Sequence, residues 1–180
     1  MESRKDNAPI LVLGGTGHYG RHVVASLLAR EQAVRVLSRN AASAHRILGD
    51  DAEIVEGDIT WRESVVEALA GVRAVVVSVS AFTPRLIRKL ELIERDSVLV
   101  TLEEARQAGV SRLVYVSVYD IREDLVKKLK IDAESARIKR EIETTFARSD
   151  FNWTVLGAPP SMEIFFAMIR GERMIVVLAT

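Results

Sequence analysis

Three glycines, Gly14, Gly17 and Gly20, stand between the apolar run Ile10-Leu11-Val12-Leu13 and the helix-forming stretch "RHVVASLLAR". A turn that passes close to a pyrophosphate has no room for side chains. Gly14 permits the tight turn, Gly17 lets the backbone approach the ligand, and Gly20 lets the first helix pack close to the sheet. The N–H groups that open the helix then face the phosphates with the positive end of its dipole. Thr16 adds a hydroxyl donor. No Gly-Lys-Ser/Thr follows, so this is not a P-loop and transfer from ATP is disfavoured. The pattern lies at the first strand, inside a strand–helix–strand unit of about 30 residues, which favours dinucleotide binding over a merely structural turn.

The end of the second strand discriminates between dinucleotides. An NAD site normally has Asp or Glu there, accepting from the ribose 2′-hydroxyl. This chain has "VLSRN". Arg39 can pair with a 2′-phosphate, with Ser38 as an extra donor, so NADPH is expected over NADH. The competing reading is a solvated loop arginine. Asp58, in "EGD" at the end of the third strand, either lies beside the adenine or is a plain turn aspartate.

Other constellations point to less. His18 and His22 are four apart but have no third ligand nearby, so no metal site is expected. Ser117 has no His–Asp partners, so a hydrolase triad is not supported. Arg85, Arg88 and Lys89 lack interleaved aromatics and read as a solvated face. Phe165, Phe166 and Met168 could shape a lid, although helical core or a dimer contact is the commoner use of such a cluster.

The elements that must position these groups are legible as alternating apolar runs and helical patterns. Strands are expected at "ILVLGG", "AVRVLSR", "AEIVEGD", "VRAVVVSVS", "SRLVYVSV" and "NWTVLGA", with a last one at "RMIVVLAT". Helices are expected at "GRHVVASLLARE", "WRESVVEALAG", "SVLVTLEEARQAG", "DAESARIKREIETTFARS" and "SMEIFFAMIRG". Residues 81–96 read either as a loop with a helical turn or as a helix of their own. Strand–helix alternation means an α/β fold, a doubly wound parallel sheet covered by helices on both sides. The 180 residues suit one domain, expected over residues 9–180 behind a flexible tail at 1–8.

Twenty-five basic and 25 acidic residues cancel, and nothing points to nucleic acid or to an acidic membrane surface. There is no cysteine, which excludes disulfides and a thiolate nucleophile. No apolar stretch reaches bilayer-spanning length. The polar start carries no cleavable signal, and a cytoplasmic protein is expected. Near-zero net charge favours self-association, so a homodimer is expected.

Taken in order, "ILVLGGTGHYGRHVV", "VRVLSRN", "EIVEGDIT", "EEARQAGVSRLVYVSV", Lys139 with Glu143, and "SDFNWTVL" followed by "MEIFFAMIRGE" resemble the NmrA-like group of atypical short-chain dehydrogenase/reductases. The resemblance covers most of residues 9–175 and implies a Rossmann sheet with NAD(P) along the C-terminal strand ends. It implies cofactor contacts from Gly14, Thr16, Gly17, His18, Tyr19, Gly20, Ser38, Arg39, Asp58, Ser78 and Val79. It sets Ser117 beside the nicotinamide and Lys139 against the nicotinamide ribose, the two candidate catalytic residues. Lys139 reads equally as an exposed lysine paired with Glu143 at i+4.

The chain also departs from the group's pattern. Ser135 stands where a Tyr-x-x-x-Lys pair would place its tyrosine. Gly157-Ala158 replaces Arg-Pro after the sixth strand. The sequence ends at Thr180, where such proteins continue into a stretch that builds much of the substrate pocket, so the fold is expected to be C-terminally short. Two functions are left open: an NADPH-dependent oxidoreductase acting on a small quinone- or flavin-like acceptor, and a non-catalytic NADP(H)-sensing regulator or assembly factor that works through a protein partner.

Overall fold

The computed structural model describes residues 8–81, 86–118 and 134–158. Six parallel strands form one sheet: β1 (Ile10–Leu13), β2 (Val34–Ser38), β3 (Glu53–Glu56), β4 (Ala74–Val77), β5 (Arg112–Val118) and β6 (Asn152–Ala158). Their spatial order is β3-β2-β1-β4-β5-β6. The order reverses beside β1, and ligands in open α/β sheets bind at such a switch point, outside the carboxyl ends of the strands.

The sheet has two buried faces, and the period-two alternation of the strands assigns each side chain to one of them. Leu11, Leu13, Leu37, Val75, Val77, Leu113 and Tyr115 pack on one side. That face is covered by α3 (Arg62–Leu69), α4 (Ser97–Gln107) and α5 (Glu134–Ala147). Ile10, Val12, Val34, Val36, Ala74 and Val76 pack on the other side, against α1 (Gly20–Leu28) and Leu48 of α2 (Ala41–Leu48). Helix α5 docks through Ile138, Ile142 and Phe146, all fully buried and spaced four apart. Burying each such side chain contributes about 1.5–3 kcal/mol. Phe146 stacks on Tyr115 with ring centroids 5.5 Å apart.

The six expected strands before residue 160 are present, as are the four helices expected there. Helix α2 was not expected. It is short and alanine-rich, and its ends are well made: Asn40 Oδ1 accepts from the Ser43 N–H at 2.7 Å, and Gly49 follows it with a φ of +80°. In the ambiguous region, Ile87–Lys89 form a 3₁₀ turn, and Glu91–Asp96 form a π-helical stretch that runs directly into α4. Arg85, Phe165, Phe166 and Met168 lie outside the described residues, as do the residue 1–7 part of the tail and the elements expected after residue 160.

Candidate cofactor site

The loop after β1 is built so that its side of the chain stays bare. Gly14 has a φ of +77°, and a Cβ there would stand 2.3 Å from the Ser78 carbonyl oxygen at the end of β4. A Cβ on Gly20 would stand 2.0 Å from the Gly14 carbonyl oxygen. The Gly17 N–H donates to that same oxygen at 2.9 Å, closing the turn. Gly17 itself is exposed, and a Cβ on it would meet only the Gly14 oxygen, at 3.0 Å. Gly14 and Gly20 are thus required by the protein's own backbone, whereas the outer side of Gly17 is open. Gly15 adds a constraint that the sequence reading missed: a Cβ there would reach 2.8 Å from Val36.

The first turn of α1 contains no acidic residue, so nothing there repels a phosphate at the positive end of the helix. His18 lies edge-on to the rings of Tyr19 and His22. Among the described residues, no group of three His, Asp or Glu could hold a metal ion. A pyrophosphate fits this cradle: the helix opening is free of negative charge, and the turn excludes side chains where backbone must approach.

Ser78 donates its backbone N–H to Leu13 O at 2.9 Å, which fixes the floor of the cradle. The Val79 side chain lies in the core, leaving its backbone as the edge beside Gly14. Asp58 Oδ1 accepts from both the backbone N–H and the hydroxyl of Thr60, at 2.9 and 2.8 Å. Its side chain therefore builds the turn into α3.

At the end of β2, Arg39 is exposed and is engaged by no other described residue. The Ser38 hydroxyl is turned into a local contact with Asn40, donating to its carbonyl at 3.3 Å. Sequence reasoning missed Glu56. Ser38 and Glu56 are register partners in β2 and β3, and Glu56 Oε2 accepts from the Ala41 N–H at 2.8 Å. A carboxylate therefore closes the start of α2, two residues beyond Arg39. Only strand register could have revealed it.

A second cluster lies at the carboxyl ends of β4 and β5, on the face covered by α5. Ser135, Lys139 and Glu143 follow one another at i+4 and share one side of that helix. Lys139 is 3% exposed. Its Nζ lies 3.6 Å from Glu94 Oε2 and 5.5 Å from the centre of the Tyr115 ring. This corrects the reading of an exposed lysine paired with Glu143. Burial lowers the Lys139 pKa, while Glu94 and then Glu143 oppose that shift. Ser117 is also buried and donates its hydroxyl to Glu143. Ser135 donates to Glu94 Oε2 at 2.7 Å. Burial raises the Tyr115 pKa, and Glu94 and Glu143 raise it further, so its phenol stays protonated.

This chemistry is limited. Neither serine offers a free acidic proton, and the tyrosine beside Lys139 is held in the state opposite to that of an activated phenol. An open apolar groove of about 450 Å³, lined by Tyr19, Val23, Leu27, Val116 and Leu156 among others, lies on the opposite face of the sheet from Lys139.

The family model described as NAD(P)H-binding matches residues 14–161. Among curated proteins, the chain is 30% identical over 146 residues to "Photosystem II assembly factor Ycf39" of Trieres chinensis, covering 81% of this chain and 44% of that protein. It is 32% identical over 132 residues to a 4-hydroxy-2-methyl-3-oxo-4-farnesyl-3,4-dihydroquinoline-1-oxide ketoreductase of Stigmatella aurantiaca, covering 72% and 39%. The chain spans less than half the length of each of these relatives. An NADPH-dependent quinone oxidoreductase from Escherichia coli shares the fold with a TM-score of 0.69 at 21% identity, over 90% of this chain and 53% of that one. No helix among the described residues is long and apolar enough to cross a membrane. The parallel Rossmann-like sheet, its glycine-built loop and the family match agree, and the chain belongs to the NAD(P)H-binding family.

Proposed function

We propose that this chain is the cofactor-binding part of an NADPH-dependent oxidoreductase acting on a small quinone- or flavin-like acceptor. One observation carries the reading: the bare Gly14–Gly20 cradle is joined to an exposed, unengaged Arg39 at the end of β2. When bound, NADPH supplies the hydride. The chain's own residues hold it: Gly14, Thr16, Gly17, His18, Tyr19 and Gly20 at the pyrophosphate, Arg39 and Ser38 at the 2′-phosphate, Asp58 beside the adenine, and Ser78 and Val79 at the end of β4 beside the glycine loop. Ser117 and Lys139 stand at the nicotinamide end, with Lys139 supplying positive charge at the ribose.

A quinone or flavin accepts hydride with little acid–base help from the protein. That suits a site where Ser135 gives its hydroxyl to Glu94 and the Tyr115 phenol is held protonated. The fold-level likeness to an NADPH-dependent quinone oxidoreductase is consistent with this acceptor class. The test is loss of reduced-nicotinamide absorbance with a panel of benzoquinones, naphthoquinones and free flavins. Turnover with any of them supports the reading. NADPH binding without turnover on the whole panel rejects it.

The alternative is a non-catalytic NADP(H)-sensing regulator or assembly factor. It is favoured by the engagement of both Ser117 and Ser135 by carboxylates and by the likeness to proteins named as photosystem II assembly factors. A pull-down whose retained proteins change between NADPH, NADP and no cofactor supports it; an unchanged set rejects it. A cytoplasmic homodimer belongs to the main proposal, and sedimentation showing only monomer at high concentration removes the dimer.

A further inference from the structure

Glu94 is one of the most deeply buried charged residues among those described, at 1% exposure. It sits in the π-helical stretch before α4, and such stretches occur often at functional sites. Its carboxylate reaches three groups. Oε1 accepts from the Ala81 N–H at 2.7 Å, and Oε2 accepts from the Ser135 hydroxyl at 2.7 Å and lies 3.6 Å from Lys139 Nζ. Ala81 is three residues beyond Ser78, whose carbonyl lies close against Gly14. One side chain therefore ties the segment after β4 to the Lys139 face of α5.

We infer that Glu94 is a positioning residue for the nicotinamide half of the cofactor site, where its carboxylate holds Lys139 in place and charged. The inference rests on the NADPH reading above.

A purely structural junction does not need these charges. Replacing a buried ion pair by apolar side chains of similar volume is often neutral or stabilising. A second observation sets the place apart. The Tyr115 hydroxyl is buried and has no hydrogen-bond partner among the described residues, a condition that native interiors rarely tolerate without a reason. Burial alone drives Lys139 toward the neutral form. Among the described residues, the titratable groups that face it are Glu94 from the π-helical stretch, Tyr115 from β5 and Glu143 from its own helix. Of the two carboxylates, Glu94 exerts the larger influence on it.

The test is calorimetry of the full chain with NADPH and with 2′,5′-ADP, which lacks the nicotinamide half, near pH 6.5 and near pH 9. Glu94→Gln keeps an acceptor for its neighbours and removes the charge. Its NADPH affinity is expected to fall by about tenfold or more over that range beyond any wild-type change, since one unit of pKa corresponds to tenfold. Its 2′,5′-ADP affinity should follow the wild type, and Glu94→Asp should restore most of the NADPH affinity.

Wild-type binding of NADPH with the same pH profile in Glu94→Gln overturns the inference alone. Wild-type failure to bind either ligand overturns the NADPH reading, and the inference with it. Should Glu94→Gln lose 2′,5′-ADP as well, Lys139→Met takes its place. It must lower NADPH affinity toward that of 2′,5′-ADP at both pH values, and an undiminished NADPH affinity overturns the inference.

Discussion

Gly14 is pressed against Ser78: a Cβ on the glycine would lie 2.3 Å from the serine's carbonyl oxygen, at a φ of +77°. The contact joins the first strand–helix turn to the end of β4 and sets the depth of the cofactor cradle. Gly14→Ala must both adopt left-handed backbone and push β4 away. Gly109 also has a positive φ, of +74°, but nothing lies within 4 Å of its Cβ position. Gly109→Ala should cost about 1–2 kcal/mol, the left-handed penalty alone. Gly14→Ala should cost clearly more, and urea unfolding of the two variants makes the comparison. Equal losses would mean that the Ser78 contact relaxes freely.

Gly17→Ala separates ligand approach from folding. Its Cβ would meet one atom, at 3.0 Å, on an exposed turn. Stability should change by less than about 1 kcal/mol, while dinucleotide affinity falls by tenfold or more, which is about 1.4 kcal/mol. Unfolding and calorimetry on the same preparation check both halves. Unchanged affinity would show that the ligand does not pass over Gly17.

Arg39, just after β2, and Glu56, at the end of β3, carry opposite charges with opposite expected consequences. Arg39→Ala should weaken NADPH by about tenfold or more, the scale of a charge-assisted hydrogen bond, and leave NADH nearly unchanged. Glu56→Gln should shift the NADPH-to-NADH ratio the other way, because the carboxylate bonded to the Ala41 N–H repels a 2′-phosphate. Parallel titrations of both variants with both cofactors test the pair. A Glu56→Gln variant that favours NADH would mean that this carboxylate does not face the adenosine ribose.

Lys139 also has a signature in stability. Its folded pKa is lowered, chiefly by burial, from the ordinary 10.5. Between that lowered value and 10.5 the unfolded chain binds more protons than the folded one, so the lysine's contribution to stability grows as pH rises through the window. The wild-type protein should therefore gain stability relative to Lys139→Met between neutral and alkaline pH in denaturant titrations. The opposite slope would mean that Glu94 and Glu143 outweigh burial.

The four inner strands were legible because their runs of β-branched and other apolar residues suit burial on both faces of a parallel sheet, and the glycine loop because its spacing follows from a backbone requirement. Helix α2 was not, since "AASAHRIL" is short and three of its five apolar residues are alanines, and it is held by its caps, Asn40 and Gly49. Glu94 reads in "ELIERD" as one more solvated charge. Its burial depends on a π-helical register and on α5, which packs against it from some 40 residues further along the chain. Lys139 stands out in the sequence as a residue to examine, but its setting depended on the same packing. Glu56 became visible only when β3 paired with β2 in register.

The central claim is that the Gly14–Gly20 cradle and Arg39 together hold NADPH. Calorimetric titration of the purified chain with NADPH and, separately, with NADH tests it most directly. The account predicts micromolar NADPH binding and NADH binding weaker by tenfold or more, the step that corresponds to about 1.4 kcal/mol. Absence of binding to either cofactor, or tighter binding of NADH, would contradict it.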